Sequence, residues 1–161
     1  MITLEKKDSI YFLTMDAEEN RWNTTFVRDI AEALDEIEND EGPGALITSS
    51  TNPKFFSNGL DLDWMQSPEN HPDGGDREVF GEEFMFLMGR VITLPIPTVC
   101  AINGHAFGAG FMFALSHDIR IMREDRGFLC ANEMQLGLPI PRPELALFKH
   151  KVPANAFFET V

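Results

Sequence analysis

Val99-Cys-Ala-Ile-Asn-Gly-His-Ala-Phe-Gly-Ala-Gly-Phe-Met-Phe-Ala-Leu115 is the stretch on which the reading of the fold turns. Residues 99–102 are apolar and residues 111–115 are apolar again, with Gly104, Gly108 and Gly110 between them. That order reads as a strand, a glycine-rich turn and the opening of a helix. A helix starting near Gly108 presents unpaired backbone N–H groups and the positive end of its dipole, where developing negative charge is stabilised. The same Gly108-Ala-Gly110 also reads as tight helix packing. Its spacing is neither GxGxxG nor a phosphate-cradling P-loop, so it does not point to a nucleotide site.

Working outward, residues 9–15 are rich in β-branched and aromatic side chains and read as a strand, followed by a polar break over 16–20. Thr24 or Thr25 is in place to cap a helix whose apolar positions Phe26, Val27, Ile30, Leu34 and Ile37 keep helical spacing, ending near Asn39. After the turn Gly42-Pro-Gly44, residues 45–48 form a short strand, which makes the chain an α/β protein with right-handed crossovers. A loop runs over 55–62, and residues 67–76, heavy in Pro, Gly, Asp and Asn, read as a mobile loop. Residues 78–92 are helical by pattern, and Leu94-Pro-Ile-Pro-Thr98 leads into the central strand. Further short strands are expected at 118–122 and 128–131, and residues 154–160 have a helix-like pattern.

The 161 residues are 43% apolar, within the range of one globular domain, and no apolar run approaches the ~20 residues that cross a bilayer. Thirteen basic against 26 acidic residues give a net charge of -13, which argues against nucleic acid or an anionic membrane as partner. Cys100 and Cys130 lack zinc-ligand or disulfide-framework spacing and read as small apolar residues in a reducing compartment. His105 and His117 are lone histidines without ligand spacing, so no metal is expected.

Three segments in order carry a family resemblance. Phe56-Ser-Asn-Gly-Leu-Asp-Leu62 resembles the FSAGxDL loop of the crotonase superfamily, the enoyl-CoA hydratases and isomerases. Ala101-Ile-Asn-Gly-His-Ala-Phe-Gly-Ala-Gly110 resembles their AxxNGxAxGGG segment, and Asn132-Glu-Met-Gln-Leu-Gly137 the NETQLG of the isomerase branch. The resemblance extends to Trp22-Asn23 and implies one crotonase-like ββα spiral core over residues 1–161, shortened at the C-terminus. It further implies fatty acid metabolism, an acyl-CoA thioester as substrate, no cofactor beyond the coenzyme A of that substrate, and a homo-oligomer, trimer or hexamer. A cytoplasmic location goes with it, or a peroxisomal one if the C-terminal signal is missing from this chain. The acidic chain would need a locally basic entrance for the phosphates of coenzyme A.

Carried over residue by residue, the resemblance assigns the backbone N–H groups of Leu60 and Ala109 to an oxyanion hole, and Phe56, Ser57, Asn58, Gly59, Gly108 and Met112 to substrate binding. Hydratases use two glutamates. The one that follows their glycine-rich turn falls at Met112 here, which takes no proton, whereas the second is kept as Glu133. Shifting a double bond needs one base, so the pattern implies isomerisation of 3-enoyl-CoA to 2-enoyl-CoA with Glu133 as catalytic base. Read without the resemblance, Glu133 is a solvated loop carboxylate; apolar Met134, Leu136 and Leu138 would raise its pKa if they enclose it. The alternatives are a non-catalytic acyl-CoA-binding or oligomer-forming protein, and hydration or another crotonase chemistry. Asp61 reads as a helix cap, Asp118 as a structural helix end, and Lys54 as either a phosphate contact or an ordinary exposed lysine.

Overall fold

The structure, a computed structural model, describes residues 2–67 and 74–160, so most of the loop expected over 67–76 lies outside the described residues. Two parallel-rich sheets organise it. In the first, β1 (Ile2–Lys7) and β2 (Ile10–Met15) form an antiparallel hairpin, and β3 (Ala45–Ser50), β5 (Thr98–Ile102) and β7 (Ile119–Met122) follow in parallel, in the order β1-β2-β3-β5-β7. The second sheet holds β4 (Phe55–Ser57), β6 (His105–Phe107) and β8 (Leu129–Cys130), all parallel. Each strand of the second sheet follows one of the first after a short corner, and a helix follows each pair. This is the ββα repeat expected of the chain.

The edge strand β1 is absent from the sequence reading. Its only apolar side chains are Ile2 and Leu4, a short period-two signal, and Asp8 at φ 56° makes the tight turn into β2. Helix α1 (Thr24–Glu38) buries the predicted Phe26, Val27, Ile30, Leu34 and Ile37. Its cap is Asn23, not Thr24 or Thr25: Asn23 is extended and its side chain accepts from the Phe26 N–H at 2.9 Å. Thr24 is already helical and fully buried, with its hydroxyl turned to the Asp76 carbonyl.

Helix α2 (Leu62–Gln66) is short, and α3 (Phe80–Thr93) occupies the helical stretch expected over 78–92. Helix α4 (Ala109–Ser116) is buried on every side, so its sequence shows no polar face. Helix α5 (Arg142–Lys151) opens with Pro143 in its first turn and α6 (Ala154–Thr160) follows directly. Trp22 is fully buried at the centre of the core, in edge-to-face contact with Phe26, Phe84 and Phe113 at ring separations of 5.0–5.1 Å. Among the described residues, no helix is long and apolar enough to cross a membrane.

Candidate active site

One wall of the candidate site is the loop after β4. Trp22 clasps it from below: its N–H donates to the Gly59 carbonyl (2.8 Å) and its carbonyl accepts from the Asp61 N–H (2.9 Å). That parallel bridge pairs Trp22 with Leu60 and turns the N–H of Leu60 to the opposite side, where no described acceptor takes it. Gly59 has φ 80°, and a Cβ there would stand 2.9 Å from the Phe107 carbonyl oxygen, so only glycine lets this loop lie against β6. Asp61 then caps α2, accepting from the Trp64 N–H at 3.1 Å.

The facing wall is the turn from β6 into α4. Gly108 sits at φ 46° and ψ −117°, a conformation essentially restricted to glycine, and its N–H donates to the Cys130 carbonyl at 2.9 Å. Ala109, the first residue of α4, has an N–H with no intrahelical acceptor and none elsewhere among the described residues. The close packing also read for this segment is present: a Cβ on Gly110 would overlap the side chain of Ser57.

Glu133 completes the arrangement from the 3-10 turn Met134–Leu136, which it precedes. Its Oε1 stands 2.8 Å from where a Cβ on Gly108 would be, and its Oε2 is buried without a hydrogen-bond partner. Burial pushes the carboxyl above the ordinary glutamate range, an effect partly opposed by its own backbone N–H. Leu136 and Leu138 share the cavity with it as expected, but Met134 does not enclose it, being 67% exposed. Asn58, Gly59, Leu60, Gly108 and Glu133 line one cavity of ≈220 Å³.

Phe56, Ser57 and Met112 stand behind the walls of this cavity. Phe56 stacks on Phe113 at 6.5 Å, and Met112 is 2% exposed within α4. Ser57 donates to the Asn20 carbonyl (2.7 Å) and accepts from the Trp22 indole N–H (3.0 Å). Asp118 accepts from the N–H and hydroxyl of Thr98, joining the end of α4 to β5. Lys54 lies over the Phe55 ring at 4.7 Å. Cys100 is buried and Cys130 half-buried, both unpaired. Among the described residues, no group of three or more His, Cys, Asp or Glu side chains is placed to hold a metal ion.

Two residues enter that sequence reasoning passed over. Arg21 lines the cavity mouth beside Asn58 and pairs with Glu19 at 2.8 Å, while Glu19 accepts from Asn58 at 2.8 Å. A lone arginine between acidic residues and the Trp22-Asn23 pair was the available signal. Glu144, in the first turn of α5, is pushed up to about 7 by burial and then by the charge of Glu133. Its place in a proline-interrupted stretch carried no such signal.

Residues 5–156 match the family model described as enoyl-CoA hydratase/isomerase. The chain is 37% identical to enoyl-CoA delta isomerase 3 of Arabidopsis thaliana, over 94% of this chain and 64% of that protein. It is 35% identical to the peroxisomal enoyl-CoA delta isomerase 2 of the same plant, over 97% of this chain and 66% of that one. The chain thus spans just under two thirds of these relatives. An enoyl-CoA hydratase structure from Mycobacterium ulcerans Agy99 superposes with a TM-score of 0.85 at 27% identity, covering 99% of this chain and 68% of the other.

Proposed function

The chain belongs to the enoyl-CoA hydratase/isomerase family, and from that premise we propose that it isomerises 3-enoyl-CoA to 2-enoyl-CoA with Glu133 as its single base. The observation that carries this reading is the carboxyl of Glu133, with a raised pKa and a free buried oxygen, held at Gly108 between two walls that each offer an unused N–H. The names of the Arabidopsis relatives support the same reaction.

Glu133 takes a proton from C2 of the substrate and delivers a proton to C4, leaving the double bond between C2 and C3. Removing the C2 proton places negative charge on the thioester oxygen, and the N–H groups of Leu60 and Ala109 donate to it. A donor of this type is typically worth ~3–4 kcal/mol in the transition state, and a positioned base a factor of ~10²–10⁴. Phe56, Ser57 and Met112 shape the cavity from behind, and Asn58, Gly59 and Gly108 bound it. Methionine at 112 removes the second acid that water addition uses in the hydratases. The reaction uses no cofactor, since coenzyme A belongs to the substrate.

Arg21 supplies the basic entrance that so acidic a chain needs for the phosphates of coenzyme A. The protein assembles with copies of itself, as a trimer or hexamer. In support, Ile119 and Ile121 are more than half exposed on the edge strand β7, and Phe128 is 69% exposed nearby in sequence. We assign it to the cytoplasm, with the peroxisome as the alternative raised by a relative's name.

The test is conversion of a 3-enoyl-CoA to its conjugated isomer, followed by the absorbance of the new thioester, with Glu133→Gln beside the wild type. Turnover that falls by ~10²–10⁴ in the variant supports the reading. Binding of acyl-CoA without turnover by the folded wild type would replace it with a non-catalytic acyl-CoA-binding role.

A further inference from the structure

Helices α4 and α5 are held in a register that brings the start of one to the start of the other. At the far end, the Lys151 ammonium donates to the His117 carbonyl, just past the C-terminus of α4, at 3.5 Å. Nearer the start, Phe148 packs on Phe111 in the first turn of α4, with ring centroids 5.3 Å apart. Glu144 is one turn before Phe148 on the same face of α5. It therefore comes to the end of α4 where Gly108 and Ala109 meet the carboxyl of Glu133.

Glu144 is half-buried, and Glu133 is close enough for its charge to act on it. The packing of α5 on α4 thus sets a second carboxyl behind the cavity that Glu133 lines, at the end of α4 where negative charge has to form. The buried Oε2 of Glu133 takes no hydrogen bond from a described residue, which leaves it open to a proton arriving from a neighbouring acid.

We infer that Glu144 is a second proton carrier of this site, a positioning residue that acts through Glu133 by exchanging protons with it during turnover. The inference rests on the isomerase reading above. Glu133 gains the C2 proton and becomes neutral. It passes that proton to ionised Glu144, or exchanges it with the proton of neutral Glu144, and Glu144 exchanges with solvent at its exposed edge. Glu133 then receives a proton back and delivers it to C4. No proton is gained or lost over the cycle, yet the one delivered need not be the one removed.

A 3-hexenoyl-CoA carrying deuterium at C2, turned over in ordinary water, tests this by mass spectrometry of the product. With the wild type, most of the transferred deuterium is lost to solvent. In the neutral replacements Glu144→Gln and Glu144→Ser, the share carried to C4 rises at least threefold while turnover continues, and Glu144→Asp restores the loss. Full retention by the wild type, or equal retention in wild type and neutral variants, overturns the role of Glu144 and leaves the isomerase reading standing. Absence of wild-type turnover overturns the isomerase reading, and the role of Glu144 with it.

Discussion

The indole N–H of Trp22 donates to the hydroxyl oxygen of Ser57 at 3.0 Å, and both side chains are fully buried. The same hydroxyl donates to the Asn20 carbonyl and accepts from the Gly59 N–H, so one serine ties the start of α1 to the loop that carries Leu60. Ser57→Ala keeps the Cβ that packs on Gly110 but leaves the indole N–H and the Asn20 carbonyl without this partner. Leaving buried polar groups unsatisfied in this way costs about 1–3 kcal/mol. Urea denaturation should show that loss, with turnover lowered as the loop loosens; an unchanged midpoint would mean that the hydroxyl contributes nothing to holding it.

Gly108 offers a sharper test, because two independent facts forbid a side chain there. Its φ of 46° with ψ −117° strains any L-residue by about 1–3 kcal/mol, and the added carbon would meet Oε1 of Glu133 at 2.8 Å. Gly108→Ala should therefore displace the carboxyl as well as the turn. A misplacement on the order of 1 Å typically costs about 10²-fold in rate, so kcat should fall by roughly that factor while the protein stays folded by circular dichroism. Retention of full activity would detach Glu133 from the chemistry.

How much of this was legible beforehand follows from where the signals lie. Helix α1 was readable because its buried positions recur with one period along a single local stretch. Strand β6 was not: His105–Phe107 lies between two glycines, and it becomes a strand only because β4 and β8, far away in sequence, pair on either side of it. Glu133 was legible through its motif and not through any local physical signature. The convergence of Glu144 on it depends on the packing of Phe148 against Phe111, which no spacing in the chain announces. The Asn23 cap was missed because the chain turns helical directly after the bridge between Trp22 and Leu60, at least one residue earlier than the threonine pair implies.

Arg21 is more than a third exposed and already paired with Glu19, so its influence on an arriving anion is a rim effect. Rim charges act mainly on association and on its salt dependence. Arg21→Ala should raise KM for an acyl-CoA roughly three- to tenfold at low salt with kcat nearly unchanged, and the difference should shrink as salt is added. Isothermal titration with coenzyme A at two salt concentrations reads the same effect without turnover. Equal affinity of both proteins at low salt would send the search for the basic entrance elsewhere.

One buried and one half-buried group push the pH dependence of stability in opposite directions, and variants separate them. The His117 Nδ1 faces the Phe113 carbonyl at 2.9 Å, which assigns it the proton, and Nε2 then accepts from the Thr48 hydroxyl at 2.9 Å. Burial pushes this imidazole down to about 4, so the folded state binds fewer protons than the unfolded chain between about 4 and the ordinary histidine value of 6.5. Its contribution is complete above 6.5 and is lost as pH falls toward 4. Glu144 has the reverse sign: at about 7 in the fold against an ordinary 4.5, it binds more protons folded than unfolded. Its contribution is complete below 4.5 and is lost as pH rises toward 7. Denaturation midpoints measured from pH 4 to 8 should therefore show that Glu144→Gln removes a decline toward neutral pH, so that the variant gains on the wild type as pH rises from 4.5 to 7. A constant difference between the two proteins across that range would show that Glu144 keeps an ordinary carboxyl in the fold.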